Sequence, residues 1–240
     1  LKSEQPKLKK KDIELKGARD YVTYIDKEAE NMLVKGLMEI FPNAGFLTEE
    51  ETVDFEEKEY TWIIDPLDGT SNYVHGDTPF CVSIALKHNN DIVLGVVYDP
   101  MADDMYSATS PKDVQLNNKP IRVSEHSTIK NAYLGFGVPY VLNESGERVL
   151  KNVIKLFNTC TFRIKGAAAI ELCYVAAGIT DTYFHSGLSP WDVAAGSFIL
   201  QCAGGKCADY SGSNNYLYGK EIVASNNVIH EEIMKHIIIS

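Results

Sequence analysis

The sequence predicts a layered α/β or α+β protein, organised as a single domain over residues 1–240. Three observations predict it. The N-terminal half carries short apolar runs with turn signals at close spacing, as an antiparallel sheet does. The second half alternates strand-like runs with helical ones, so that sheets are covered by helices. No proline- or serine-rich linker divides the 240 residues, a length that suits one large domain.

The elements follow in order. Lys7-Leu8-Lys9-Lys10-Lys11 reads as a solvated basic lead-in. Beyond Asp26, the side chains of Ala29, Leu33, Leu37, Ile40 and Phe41 fall on one helical face, with Glu28 and Glu30 in the favoured first turn. Pro42 and Asn43 end that helix. Gly45 to Leu47 leads into Glu49-Glu50-Glu51 and an acidic, loop-like stretch up to Tyr60. Tyr60 to Ile64 reads as a buried strand. Cys81 to Lys87 and Ile92 to Tyr98 form a hairpin around His88-Asn89-Asn90-Asp91. Met105 to Ala108 and Val114 to Leu116 extend the sheet, with Asn117-Asn118-Lys119-Pro120 as a turn. In the second half, strands are expected at Ala132 to Phe136, Thr161 to Ile164, Thr180 to Phe184 and Ile222 to Ala224. Helices are expected at Gly146 to Phe157, Ala167 to Ala177 before Gly178, Trp191 to Cys202 before Gly204-Gly205, and Val228 to Ile237. The tail Ile237-Ile238-Ile239 reads as a strand or helix end.

Composition narrows the function. The chain is 45% hydrophobic and 23% charged, and no run of about 18 apolar residues offers a membrane span. No signal peptide follows the basic start. A net charge of −10 disfavours nucleic acid as a partner. It would repel an anionic substrate too, unless cations among the acids reverse the local field. Cys81, Cys160, Cys173, Cys202 and Cys207 form no Cys-x-x-Cys pair and lie mostly in apolar stretches, which fits reduced thiols in a cytoplasmic protein.

The chemistry concentrates in Trp62-Ile63-Ile64-Asp65-Pro66-Leu67-Asp68-Gly69-Thr70. An apolar strand runs into two acids. Pro66 fixes φ and bends the turn, so that the Leu67 carbonyl can point outward, and Gly69 admits close backbone approach. Two carboxylates, a carbonyl and a hydroxyl are hard oxygen ligands that suit Mg²⁺. If a helix or turn starts at Gly69-Thr70, its N–H groups face a bound phosphate. A plain Pro-x-Asp-Gly turn explains Pro66 to Gly69 without a metal. Taken singly, Glu49 to Glu51 read as a solvated loop, and Asp26 and Asp192 as helix caps. The small Ala194, Ala195 and Gly196 would let the helix after Asp192 pack very closely on a neighbour.

Together these elements resemble a known family. Asp65-Pro-Leu-Asp-Gly-Thr70 and Trp191-Asp-Val-Ala-Ala-Gly196 resemble the two signatures of the inositol monophosphatase family, over about Ile13 to the C-terminus. Glu49-Glu50 falls where the family places its acidic pair, and Asp26 follows Tyr21-Val22-Thr23 as the family's upstream Asp does. The resemblance implies an α+β fold, the α-β-α-β-α sandwich of the inositol monophosphatase and fructose-1,6-bisphosphatase type. It also implies a helix ahead of Ile13, expected to lie largely outside a chain that starts at Leu1. Implied too are a homodimer and Mg²⁺-dependent, lithium-sensitive hydrolysis of a small phosphate monoester with two or three metals. Glu49, Asp65 and the Leu67 carbonyl would hold the first ion. Asp65, Asp68 and Asp192 would hold the second, and a third would sit near Glu49. Thr70 and Glu49 would orient and deprotonate the attacking water, Asp26 would polarise Thr70, and the Gly69 and Thr70 amides would cradle phosphate oxygens.

Specificity is less determined. Asp68, Gly69, Thr70, Ala168, His185 and Asp192 are the expected substrate contacts. The family places a ring-hydroxyl-binding Glu where this chain has His185, in the loop after Phe184. A histidine donates a hydrogen bond but lacks the charge. A surface histidine in a loop is the plainer reading. Lys165 could read a second phosphate. Inositol 1-phosphate is the first expectation, a sugar or nucleotide (bis)phosphate such as fructose 1,6-bisphosphate the second, and a non-catalytic metal-binding scaffold the most remote.

Overall fold

A computed structural model describes residues 1–9, 12–17 and 20–237. Lys10, Lys11, Ile238 and Ile239, part of the basic lead-in and of the apolar tail, lie outside the described residues.

The chain opens with a 3-10 turn at Gln5–Lys7, then a hairpin of β1 (Ile13–Gly17) and β2 (Asp20–Thr23). Helix α1 (Tyr24–Ile40) follows at once, then β3 (Gly45–Thr48), β4 (Tyr60–Asp68), α2 (Thr70–His75), β5 (Cys81–His88) and β6 (Asp91–Asp99). Strands β7 (Asp104–Ser110), β8 (Asp113–Leu116) and β9 (Lys119–Pro120) complete a seven-stranded sheet in sequence order from β3 to β9. All its pairs are antiparallel except β3 with β4.

The second half contains β10 (Tyr133–Gly137), α3 (Glu144–Leu156), β11 (Thr161–Arg163), α4 (Ala168–Ala176), β12 (Thr182–Ser186), α5 (Pro190–Cys202), β13 (Gly205–Ala208), β14 (Glu221–Asn226) and α6 (His230–His236). Its five strands pair in the order β11-β10-β12-β14-β13.

Three apolar clusters glue five layers. Val34 on α1 packs with Phe46, Trp62 and Ile64 on one face of the large sheet. Ile63, Ala85 and Val97 on its other face meet α4 and α5, which in turn touch Tyr183, Ile222 and Ala224 of the small sheet. Leu134, Phe184 and Val223 on the far face of the small sheet pack with Val149 and Leu156 of α3 and Ile233 of α6. The result is an α+β sandwich in the order helix, sheet, helix pair, sheet, helix pair. The middle helices approach closely, as the small residues after Asp192 require. A Cβ on Gly196 would lie 2.9 Å from the Ala169 carbonyl oxygen.

The expected strands and helices are all present, with shifted ends. Six elements escape the periodicity argument: β1, β2, β3, α2, β9 and β13. In β9, Lys119 and Pro120, expected in a turn, pair with Leu116 and Gln115 across the tight bend at Asn117-Asn118. The β1–β2 hairpin carries little apolar alternation because four of the five β1 residues are exposed. Strand β3 and helix α2 are four and six residues long, too short for a periodic signal. Gly205, expected to stop a helix, opens β13. The key correction concerns β4. It does not end at Ile64 but runs on through Asp68, with eight of its nine residues buried. Its register with β5 slips between Asp65, opposite Ser83, and Asp68, opposite Cys81. Pro66, which has no N–H to give to a ladder, falls inside that irregularity.

Candidate active site

The bulge in β4 brings both of its acids to one end of the sandwich. Asp65 Oδ1 accepts the Leu67 N–H (2.9 Å), which closes the turn around Pro66. Asp68 accepts the amides of Ala168 (3.1 Å) and Ala169 (2.7 Å), the first residues of α4. Gly69 follows with φ +90°, and a Cβ there would stand 3.0 Å from the Pro79 carbonyl oxygen, so both conformation and space call for glycine. Thr70 then starts α2.

Asp192 comes from the first turn of α5, where its Oδ2 accepts the Ser189 N–H (2.6 Å). Asp26 plays the same part in α1, accepting the Thr23 N–H (2.8 Å) and hydroxyl (2.7 Å). Neither is the cap residue itself. Each is the third residue of its helix and reaches back to a Ser or Thr cap, a capping box with Asp in the usual Glu position. The other Asp26 oxygen lies 3.3 Å from the Thr70 hydroxyl, which also donates to the Leu67 carbonyl (2.9 Å).

Asp65, Asp68 and Asp192 each offer a carboxylate oxygen within 4.8 Å of the others. Glu49, just beyond β3, lines one cleft with them and stands close enough to Asp65 for each to act on the other's charge. Lys16 of β1 stands 3.2 Å from Glu49 and also pairs with Glu50. The cluster is electrostatically unsatisfied. Burial, then Glu49, Asp68 and Asp192, push Asp65 well above the usual carboxylate range. Burial raises Asp68 to about 7 against its two amide donors. Burial also raises Glu49 despite Lys16 and raises Asp26.

A cleft of about 450 Å³ opens from this cluster. Glu49, Asp65, Leu67, Asp68, Gly69, Thr70, Ala168, His185 and Asp192 all line it, while Asp26 sits behind Thr70. Val138, Pro139, Tyr140, Ile164, Leu188 and Trp191 line it as well. His185 does not lie in a loop. It belongs to β12, beside Gly137 of β10, where a Cβ would come 2.5 Å from its Nδ1. That nitrogen is 2.7 Å from the Tyr183 hydroxyl, and the ring also bonds the Val138 backbone. Burial lowers His185 to about 4, so the ring is neutral. Lys165 lends only its backbone here: its N–H donates to Glu171 and its carbonyl accepts from Asn72. Neither it nor Arg163 lines the cleft.

Lys16, Glu171 and the aromatic wall escaped the sequence reading. Glu171 had a signal: it is the one acid in the run Ala167 to Ala177, it is buried, and burial raises it to about 7. Lys16 had none, because the hairpin that delivers it shows no periodicity.

The family model of the inositol monophosphatases matches residues 1–239. The chain is 39% identical over 224 residues to the Nus factor SuhB of Vibrio cholerae, covering 92% of this chain and 84% of the relative. It is 36% identical to an inositol-1-monophosphatase of Mesorhizobium japonicum, covering 93% of this chain and 85% of that protein. The crystal structure of the extragenic suppressor protein suhB from Bartonella henselae superposes with a TM-score of 0.90 at 32% identity, covering 99% of this chain and 91% of the other.

Proposed function

Since the chain belongs to the inositol monophosphatase family, we propose that it is a Mg²⁺-dependent phosphoric monoester hydrolase acting first on inositol 1-phosphate. The observation that carries this reading is the meeting of Asp65, Asp68 and Asp192, with Glu49 alongside, from three separated segments. The donor set fits the ion. It consists of hard oxygens only, and the raised carboxyls show mutual repulsion that a divalent cation would relieve. Glu49, Asp65 and the Leu67 carbonyl would hold one Mg²⁺; Asp65, Asp68 and Asp192 a second; and the Glu49 side of the cleft a weaker third. When bound, Mg²⁺ supplies the positive charge that a phosphoryl group and its departing alkoxide need.

The chain's own groups do the rest. The Thr70 hydroxyl has one hydrogen and two acceptors in reach, the Leu67 carbonyl (2.9 Å) and the Asp26 carboxylate (3.3 Å). Donation to either leaves its oxygen a lone pair to accept a hydrogen bond from an attacking water. Asp26, fixed by Thr23, polarises Thr70 when it is the acceptor. Glu49 is the base that takes the water's proton. The Gly69 and Thr70 amides donate to phosphate oxygens. Ala168 and the apolar lining shape the space for the alcohol, and His185 serves there as a wall.

The lining favours one phosphate over two. Lys16 is the only Lys or Arg among the described lining residues, and it is engaged by Glu49 and Glu50. A second phosphate would meet no free cation, which disfavours fructose 1,6-bisphosphate. A panel of inositol 1-phosphate, fructose 1,6-bisphosphate and a nucleotide phosphate, with and without Mg²⁺ and Li⁺, tests this. Mg²⁺-dependent, Li⁺-inhibited release should be greatest from inositol 1-phosphate. A bisphosphate hydrolysed tenfold faster would reverse the substrate order. The Nus factor name of the Vibrio relative supports a second reading, a metal-binding scaffold for other proteins. Metal binding without phosphate release from any monoester would favour it. A homodimer and a cytoplasmic location follow as expectations of the family; light scattering tests the first.

A further inference from the structure

One helix backs both halves of the site. Asp26 and Glu30 stand four residues apart on α1, a spacing that puts them on one helical face, and both are buried. Asp26 serves Thr70. Glu30 has no part in the chemistry above, yet it is fully enclosed and its hydrogen bonds converge on one turn. Its Oε2 accepts the Glu50 N–H (2.8 Å), and its Oε1 accepts the Thr52 N–H (2.8 Å) and the Thr52 hydroxyl (2.7 Å). The residue between those amides, Glu51, has φ +51°, a left-handed backbone that side chains other than glycine rarely adopt. Glu30 therefore grips the chain on both sides of a strained turn. Glu49 directly precedes that grip, and its own N–H is tied to the Ile64 carbonyl (3.3 Å), next to Asp65.

We infer that Glu30 is a positioning residue: by clamping Glu50 and Thr52 it holds the Glu49 carboxylate against Asp65, so that metal affinity at the cleft depends on a side chain that never reaches it. The inference rests on the reading of Glu49 as a metal ligand. Glu30→Gln breaks the clamp at nearly constant volume. Whichever way the amide turns, its NH₂ faces a backbone N–H, and one side of the turn loses its acceptor.

The test titrates Mn²⁺, an ion of like ligand preference, into the metal-free protein by calorimetry. Glu30→Gln should weaken binding about tenfold or more, the range for losing a group that orients a ligand. Thr52→Ala, which removes one donor of three, is the milder variant and should weaken it about two- to threefold. Asp99→Ala, which removes the acceptor of both amides, is the control. Asp99 is a buried acid that likewise accepts two turn amides, those of Met101 and Ala102, but it lies outside the cleft lining. It should lower the melting temperature and leave the isotherm within twofold. An acid that served the fold alone would make Glu30→Gln behave like Asp99→Ala; Glu30→Gln and Thr52→Ala isotherms that match wild type would overturn the inference. A wild-type chain that binds no Mn²⁺ would overturn the metal reading and this inference with it.

Discussion

The two ends of the cleft are built on opposite principles. At the end that the proposed function assigns to the phosphate, the three aspartates come from a helix start or a bulge and are held there by backbone amides. Asp68 is fixed by α4, Asp192 by the start of α5, and Asp65 by its own turn. The carboxylates crowd together against their own repulsion. At the end that the proposed function assigns to the alcohol, the lining includes Tyr140, Ile164, Leu188 and Trp191, and the polar His185 has partners within the protein, the Tyr183 hydroxyl and the Val138 backbone. The first end is unsatisfied and waits for charge; the second is satisfied and offers shape. The difference teaches that reaction and specificity can reside in neighbouring parts of one cleft under separate physical control.

The largest effect should come from relieving the crowded end. Asp65→Asn keeps an oxygen for the Leu67 N–H but removes the charge shared by both proposed ion sites. Turnover at saturating Mg²⁺ should fall at least about 100-fold. The metal-free protein should melt no lower than wild type, because a buried acid among like charges is gone. Phosphate release and metal-free melting curves on the same preparation check both halves. Full activity, or a clear loss of metal-free stability, would break the contrast, since Asp65 would then be a satisfied structural acid.

This asymmetry also explains what was legible in the sequence. The phosphate end was readable because its groups lie in local motifs: Asp65 to Thr70 is one bulge and helix start, and Trp191 to Gly196 is one helix turn. Their chemistry depends on neighbours within six residues. The α-β-α-β-α layering was readable through those same motifs more than through periodicity. The chain's most informative strand, β4, is buried on both faces and shows no alternation, which is why its end was placed before Asp65. The alcohol end is assembled from β10, β12 and the segments around Ile164 and Leu188, so its character depends on long-range packing. His185 illustrates this. Its sequence position suggested a free loop donor, but pairing of β12 with β10 laid the ring on Gly137 and engaged its nitrogens. Glu30 likewise looked like a first-turn helix acid, because nothing local says that Glu50 and Thr52 fold back onto it.

A moderate effect should follow at the alcohol end. His185→Phe keeps a flat ring over Gly137 and removes both nitrogens. If His185 is a wall, kcat/KM for the best monoester should stay within about fivefold, with the change in KM. The melting temperature should fall, because the Tyr183 hydroxyl loses its partner, a loss that costs about 1–3 kcal/mol for a buried group. A loss of kcat/KM beyond about fiftyfold would instead make His185 a hydroxyl reader, the outcome expected of a site that has lost a needed hydrogen bond.

The smallest effect separates the two ends by the sign of their response to pH. Asp68 is raised from 3.8 to about 7 by burial. Between those values the folded, metal-free chain holds a proton that the unfolded chain has released, so this group's contribution to stability falls as pH rises through the window. Burial lowers His185 from 6.5 to about 4. The unfolded chain takes up that proton first, so the histidine's contribution is present above 6.5 and is lost as pH falls toward 4. His230, lowered to about 4 by burial at the other side of the small sheet, acts in the same direction, and Glu171 acts with Asp68. Bound Mg²⁺ would keep the cluster ionised and cancel its slope while leaving the histidines and Glu171 untouched. Melting temperatures measured from pH 4.5 to 7.5 in EDTA and in Mg²⁺ should therefore diverge as pH rises. In Mg²⁺, His185→Phe should lower the pH slope of stability by up to about one proton. A constant gap between the EDTA and Mg²⁺ curves would show that the crowded carboxyls do not titrate in the fold. An unchanged slope in His185→Phe would show that its ring is open to water, and the contrast between a satisfied and an unsatisfied end would fail at its second term.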